Sequence, residues 1–267
     1  TVKTTYRGRE VGVMHACGHD IHTAIQLGVV SVLASIKKDI PGTVKFIFQP
    51  AEEGSPPGER GGASLMVEEG ALENPRPEAI FGLHTSGNEV GKISYSIGPS
   101  CAAVDHFEII VKGKQAHGAA PDQSVDAIVT ASQVVLALQT IRSRNLSPLE
   151  PSVISVCVFR AGERFNIIPE QVYLEGTVRT HSPAVRDAVE RRMEEILDGI
   201  TKSAGATFEL NYDRSSAAII NDSELAKIVV PVLEGVVGEK NAVQRVAGMT
   251  GEDFSGFTNV IPGFFYN

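Results

Sequence analysis

The sequence predicts an α/β protein: a mixed, mainly parallel sheet with helices on both faces, into which a smaller β-α-β-β-α-β unit is inserted. Three observations predict it. Apolar runs of strand length alternate with stretches of helical apolar spacing before residue 100 and again after residue 213. Between those limits the pattern reads strand, helix, strand, strand, helix, strand, the order of a split βαβ sandwich. The 267 residues, 42% of them hydrophobic, suffice for one or two domains with a real core. The predicted division is a discontinuous domain, residues 1–99 and 213–267, interrupted by a second at 100–212. A unit that closes on itself has its ends near each other and can be inserted in this way.

Each element follows from local pattern. Ile25, Val29, Val32 and Ile36 recur at helical spacing over residues 22–38, and Pro41-Gly42 marks the turn after them. Thr43 to Gln49, with Val44, Phe46, Ile47 and Phe48, reads as a buried strand. Residues 62–69 read as a short helix ended by Gly70, and Ala79 to His84 as another buried strand. Phe107, Ile109 and Val111 alternate as in a half-exposed strand. A helix over 124–144 carries Ala127, Ile128, Ala131, Val134, Val135, Leu138 and Ile141 inward. Strands follow at 152–160 and 171–179. Ser182 caps the next helix, with Pro183 at its first position and Gly205 at its end, and residues 206–212 form the unit's last strand. Asn221 or Asp222 caps a final helix running to Gly238, bent at Pro231.

Composition excludes some functions. The formal net charge is −8 and the pI is near 5.4. An acidic surface repels phosphate backbones, which argues against a nucleic-acid partner. No apolar run approaches the roughly 20 residues that cross a bilayer, and Thr1 to Arg9 hold no signal-peptide core. No membrane partner is expected. Three cysteines, at 17, 101 and 157, are too few and too widely spaced for a disulfide framework, which fits a reducing, cytoplasmic location. The chain starts without Met and stops in the apolar run Gly263-Phe264-Phe265-Tyr266-Asn267, which reads as a strand entering a core. Natural termini are more often polar and frayed, so the sequence is expected to be cut at both ends.

Three segments carry chemistry. In His15-Ala16-Cys17-Gly18-His19-Asp20-Ile21-His22, three of the seven histidines join a Cys and an Asp. In an extended segment Cys17 and His19 point to one side, and a thiolate beside an imidazole suits Zn, Mn, Co or Ni. The bland alternative is a buried thiol beside surface histidines. In Phe48-Gln49-Pro50-Ala51-Glu52-Glu53-Gly54 two adjacent carboxylates sit at a strand's C-terminal edge, where open α/β sheets bind ligands. One can hold a metal while the other moves a proton; alone, the pair reads rather as a solvated acidic turn. In Phe81-Gly82-Leu83-His84 another strand delivers a His that, in isolation, would pass for a core or capping residue. Together the segments supply enough ligands for a metal pair.

MHACGHDIHTA, FQPAEEG and FGLH resemble the amidohydrolase branch of the M20 metallopeptidases, which includes aminoacylases, hippurate hydrolases and auxin-conjugate hydrolases. The likeness continues through GKQAHGAAPDQSVDAI, RFNIIP, GTVRT and GMTGEDFSGF, in order along the chain. The resemblance implies two divalent metal ions per subunit. Cys17 would be shared by both, Glu53 would join it on one, and His19 and His84 would serve the other. Glu52 would be the general base, and Asp20 and His22 would orient ligands. Residues 1–99 and 213–267 would then be the catalytic domain and 100–212 a lid through which a homodimer forms. His117 would reach the partner subunit's active site and polarise the scissile carbonyl. Asn166 and Arg179 would hold the substrate carboxylate or the oxyanion, Arg by paired hydrogen bonds. Read alone, His117 is a surface loop residue and Arg179 a surface Arg at a strand end.

Family members also carry an earlier Asp-x-Asp segment and a later Leu-His segment, and neither lies within these residues. The expected activity is hydrolysis of N-acyl amino acids or related small amides and dipeptides. The same machinery could serve an exopeptidase or an N-acetyl-diaminopimelate-type deacylase. A non-catalytic relative that binds metal or small molecules is the competing class.

Overall fold

The computed structural model describes residues 2–6, 8–55 and 59–267. It is a mixed α/β fold with several sheets, which divides into two compact units. The first comprises Thr1–Gly98, Asn221–Val246 and Phe257–Asn267; the second comprises Pro99–Ile220 and Ala247–Gly256.

In the first unit the chain begins with an antiparallel pair, β1 (Val2–Tyr6) and β2 (Arg9–Val13). Reading Thr1 to Arg9 merely as a polar stretch missed this pair, although Val2, Thr4 and Tyr6 are strand formers. Helix α1 (His19–Ser35) follows, then α2 (Gly62–Glu68) and β3 (Ile80–Leu83). Gly70 ends α2 as expected, with φ +88°. Its amide donates to Val67 O, and Ala71 N–H donates to Met66 O.

Two expectations for this stretch need correction. Residues 43–50 form no strand, because no described neighbour supplies a hydrogen-bonded ladder. Side chains hold the segment instead: Gln26 Nε2 donates to Ile47 O (2.9 Å), and Lys45 Nζ donates to Ala71 O (3.1 Å). Nor do these runs lie in a core. Helix α1 has no buried residue, and Val44, Phe48 and Phe81 are exposed. Periodicity reports which face is apolar, and only packing decides whether that face is covered.

The unit's four-stranded sheet is completed by β4 (Ile93–Tyr95), β13 (Ala242–Gln244) and β14 (Gly263–Tyr266), in the order β13-β4-β14-β3. The β13–β4 and β14–β3 pairs are parallel, and β14 runs antiparallel to β4. Helix α5 (Ser223–Val237) packs Ala226, Val229 and Leu233 against Tyr95, Ala242 and Phe264. Its cap is Asp222, whose carboxylate accepts from Leu225 N–H (2.8 Å). Asn221, the other cap candidate, is buried and ties backbone together: its amide donates to Ser96 O and Phe265 O and accepts from Phe265 N–H. The helix runs on through Pro231.

The second unit begins with β5 (Gly98–Cys101) and β6 (Ala103–Lys112), followed by β7 (Ala116–His117) and α3 (Ala127–Thr140). It continues through β8 (Ser152–Ala161), β9 (Ile167–Ile168), β10 (Gln171–Thr180), α4 (Pro183–Ala204) and β11 (Thr207–Ser216), with β12 (Ile219–Asn221) after them. An antiparallel sheet of order β11-β6-β10-β8 is packed by α3 and α4. Burial along β6 alternates strictly, with Phe107, Ile109 and Val111 fully inside. They meet Ala131, Val134 and Leu138 of α3 and Val189, Met193 and Leu197 of α4. Each such large side chain contributes about 1.5–3 kcal/mol by leaving water. Gly176 permits a close approach: a Cβ there would come within 2.3 Å of the Phe107 ring.

Helix α3 is capped by Asp126, which accepts from Ile128 and Val129 N–H. Ser182 occupies the cap of α4, but its hydroxyl makes no capping bond; its carbonyl accepts from Arg186 N–H. Strand β11 runs on to Ser216, past the expected end at 212. Residues Ala247–Gly256 also group with this unit. There Gly248 N–H donates to Ser100 O, Ala102 N–H to Thr250 O, and His181 Nε2–H to Gly248 O (2.8 Å). Among the described residues, no helix is long and apolar enough to cross a membrane. Among the described residues, Cys17, Cys101 and Cys157 form no disulfide.

Candidate metal centre

The first unit gathers the three chemistry-bearing segments at one place. Cys17 and His19 flank Gly18, whose left-handed backbone (φ 98°, ψ 9°) turns the chain into α1 and makes His19 its first residue. This differs from the expected extended segment. The two side chains meet through a turn that needs glycine twice over. Its φ is one L-residues avoid, and a Cβ would lie 2.3 Å from Thr85 Oγ1. His84 follows the end of β3, where its N–H donates to Tyr266 O and its carbonyl accepts from Asn267 Nδ2. Glu52 and Glu53 sit in a turn behind Ala51, a non-glycine residue at φ 56°. Strained backbone of this kind clusters at functional sites.

Two donor triads lie within this unit. Ligand atoms of Cys17, His19 and His84 lie within 4.8 Å of one another, and so do those of His19, Glu52 and Glu53. Cys17 Sγ is 3.2 Å from His84 Nε2. His19 Nε2 is 3.4 Å from Glu52 Oε2 and 3.9 Å from Glu53 Oε1. His19 is common to these two triads.

Hydrogen bonds settle which ring nitrogens face the centre. His84 Nδ1 lies 2.6 Å from Thr85 O, a pure acceptor, so Nδ1 carries the proton and Nε2 presents a lone pair toward Cys17. His22 Nε2 instead accepts from Thr85 N–H (2.9 Å), which occupies that nitrogen. Burial, then the neighbouring charges of His84 and His19, holds the His22 pKa below its ordinary value, with Asp20 acting in opposition. The His22 and His84 ring centres are 4.5 Å apart. Soft sulfur, neutral imidazole and carboxylate are donors that borderline divalent cations take together, so these residues fit a metal centre.

Thr85 was missed in the sequence. Besides its two bonds to histidines, its hydroxyl donates to Cys17 O (3.4 Å) and lies 3.2 Å from His22 Nε2. The available signal was its position, directly after His84, where a short hydroxyl can serve several neighbours.

The other expected site residues lie in the second unit. His117 and Asn166 are brought together by the β7–β9 pair, in which Gly118 N–H donates to Asn166 O (2.8 Å). The His117 side chain is exposed, and its Nδ1 accepts from Ala119 N–H. Arg179 projects from β10, half-buried, and donates to Thr177 Oγ1 (2.5 Å).

The sequence pattern of peptidase family M20/M25/M40 matches residues 1–267, and the chain belongs to that family. N-acetylcysteine deacetylase of Bacillus subtilis (strain 168) is 38% identical over 255 residues, covering 95% of this chain and 65% of the relative. N-acyl-L-amino acid amidohydrolase of Geobacillus stearothermophilus is 43% identical over 220 residues, covering 82% and 58%. The crystal structure of the Bacillus subtilis YXEP protein, described as a dinuclear metal binding peptidase from the M20 family, superposes with a TM-score of 0.77 at 35% identity. It covers 95% of this chain and 63% of that one. The chain thus spans about two thirds or less of the length of these relatives. By name, both curated relatives fall in the amidohydrolase branch that the sequence motifs resemble.

Proposed function

We propose that the protein hydrolyses the amide bond of N-acyl amino acids or related small amides, with two divalent cations held by Cys17, His19, Glu53 and His84. The observation that carries this reading is the convergence of Cys17, His19, Glu52, Glu53 and His84, from three distant stretches of chain, within ligand distance. The names of the relatives give the substrate class. Cys17, His19, Glu53 and His84 would hold the cations, which when bound supply Lewis acidity and make water a nucleophile at neutral pH. Zn, Mn, Co and Ni all suit this donor set.

Glu52 is the proton carrier. It takes a proton from the attacking water and returns it to the leaving amine, which a half-buried carboxylate beside an imidazole is placed to do. Thr85 and His22 keep the ligands in register. Arg179 binds the substrate carboxylate, Asn166 the developing oxyanion, and His117 polarises the carbonyl from a second subunit. On this reading residues 100–212 are a ferredoxin-like lid that also forms the homodimer, and closure excludes water.

Glu52→Gln tests the assignment. The variant should keep about two cations per chain by metal analysis and lose nearly all turnover of N-acetyl amino acids. Near-normal hydrolysis would remove Glu52 from its role. A panel of N-acetyl, N-benzoyl and dipeptide substrates separates an aminoacylase from an exopeptidase on the same scaffold.

A further inference from the structure

We propose that Thr177 is a positioning residue that aims the Arg179 guanidinium, and thereby sets the preference for substrates bearing a free carboxylate. The proposal rests on the reading of Arg179 given above.

Arg179 has no ion-pair partner among the described residues. Its half-buried charge is disfavoured by burial, and the charge of Asp105 opposes that effect without contact. A partly desolvated guanidinium with free donors is a receptor for an anion, because an arriving carboxylate restores what burial removed. To take a carboxylate by two hydrogen bonds, the planar fork must already face it.

The structure shows what fixes the fork. Both hydrogen bonds of the guanidinium leave from Nη1, to Thr177 Oγ1 at 2.5 Å and to Val178 O at 3.3 Å. Among the described residues, Nε and Nη2 make no hydrogen bond and can serve a ligand. Thr177 is two residues earlier on β10 and so shares a face with Arg179. Its hydroxyl has one proton and commits it to Asp105 O on β6 (2.8 Å). Toward Arg179 it can therefore only accept, which makes the chain of bonds one-directional: guanidinium to hydroxyl to carbonyl.

The anchor is rigid. Asp105 is 1% exposed, and its carboxylate is gripped by Arg186 Nε (2.8 Å), Arg186 Nη2 and the Tyr212 hydroxyl (2.6 Å). The β-branched side chain of Thr177 adds a stiff χ1. The orientation of Arg179 is thus set from the neighbouring strand.

Thr177→Val keeps shape and removes the acceptor; Thr177→Ser restores it. Kinetics would compare an N-acetyl amino acid with its carboxamide, which lacks the charge. In Thr177→Val the ratio of kcat/KM for acid over amide should fall about tenfold, mainly through KM of the acid, and Ser should recover it. Nitrogen NMR supplies a readout free of turnover. The Arg179 Nη signals, assigned by their loss in Arg179→Lys, should be resolved in wild type and Ser and averaged in Val. Thr177→Ala replaces Val if Val does not fold. Retention of either the resolved signals or the acid preference in Val overturns the proposal. If wild type hydrolyses neither compound, the amidohydrolase reading fails, and the NMR alone decides whether Thr177 holds the guanidinium.

Discussion

Replacing Gly18 by alanine perturbs the turn that seats Cys17 and His19, and its cost can be built from two parts. Holding an L-residue at φ +98° costs about 1–2 kcal/mol. The added Cβ would stand 2.3 Å from Thr85 Oγ1, too close for any real contact, so the hydroxyl must move. Moving it gives up the bond to Cys17 O and the contact with His22 Nε2, worth about 0.5–1.5 kcal/mol. The sum is about 1.5–3.5 kcal/mol. Urea unfolding followed by circular dichroism reads the stability. A divalent-cation titration reads the site, where each 1.4 kcal/mol of misplacement weakens binding about tenfold. In a Thr85→Ala background, which has already lost those contacts, Gly18→Ala should cost only the backbone part. An unchanged midpoint and unchanged cation affinity in Gly18→Ala would refute the reasoning, since neither the φ nor the clash would then matter.

Ala51 pays for its left-handed φ of 56° beside Glu52, so Ala51→Gly should raise the urea midpoint, by about 1 kcal/mol or less. Asp105→Asn leaves the part-buried Arg186 guanidinium without its counter-charge, and thermal unfolding should show a loss of about 3 kcal/mol in the second unit. Glu108 titrates below its ordinary value because the Tyr173 hydroxyl, then Asn211, bonds its ionised form; for Glu175 the cause is His106, then Tyr173. Carboxylates depressed in the folded state add stability above pH 4.5 and lose it as pH falls through their folded values. Tyr173→Phe should therefore be less stable at neutral pH and show a shallower loss on acidification, as measured by unfolding midpoints across pH.

Local pattern determined a good part of this protein. The period of apolar residues placed α3, α4, β6, β8 and β10, because a 3.6-residue or 2-residue repeat is a property of the chain before it folds. The Cys17, Glu52 and His84 segments were legible because thiol, carboxylate and imidazole groups at the ends of three separate apolar runs are the donors a cation needs, and a core has no use for them there. Tertiary structure alone decided the rest. Strand character for residues 43–50 failed for want of a ladder partner, and the apolar stripe of α1 lies exposed, because burial depends on neighbours that periodicity does not name. Thr85 and the Gly18 turn could not be read either: their roles exist only once β3 and the start of α1 are adjacent. His19 takes part in both triads only once the three segments are adjacent, and the left-handed Gly18 torsion before it is set by packing as much as by residue type.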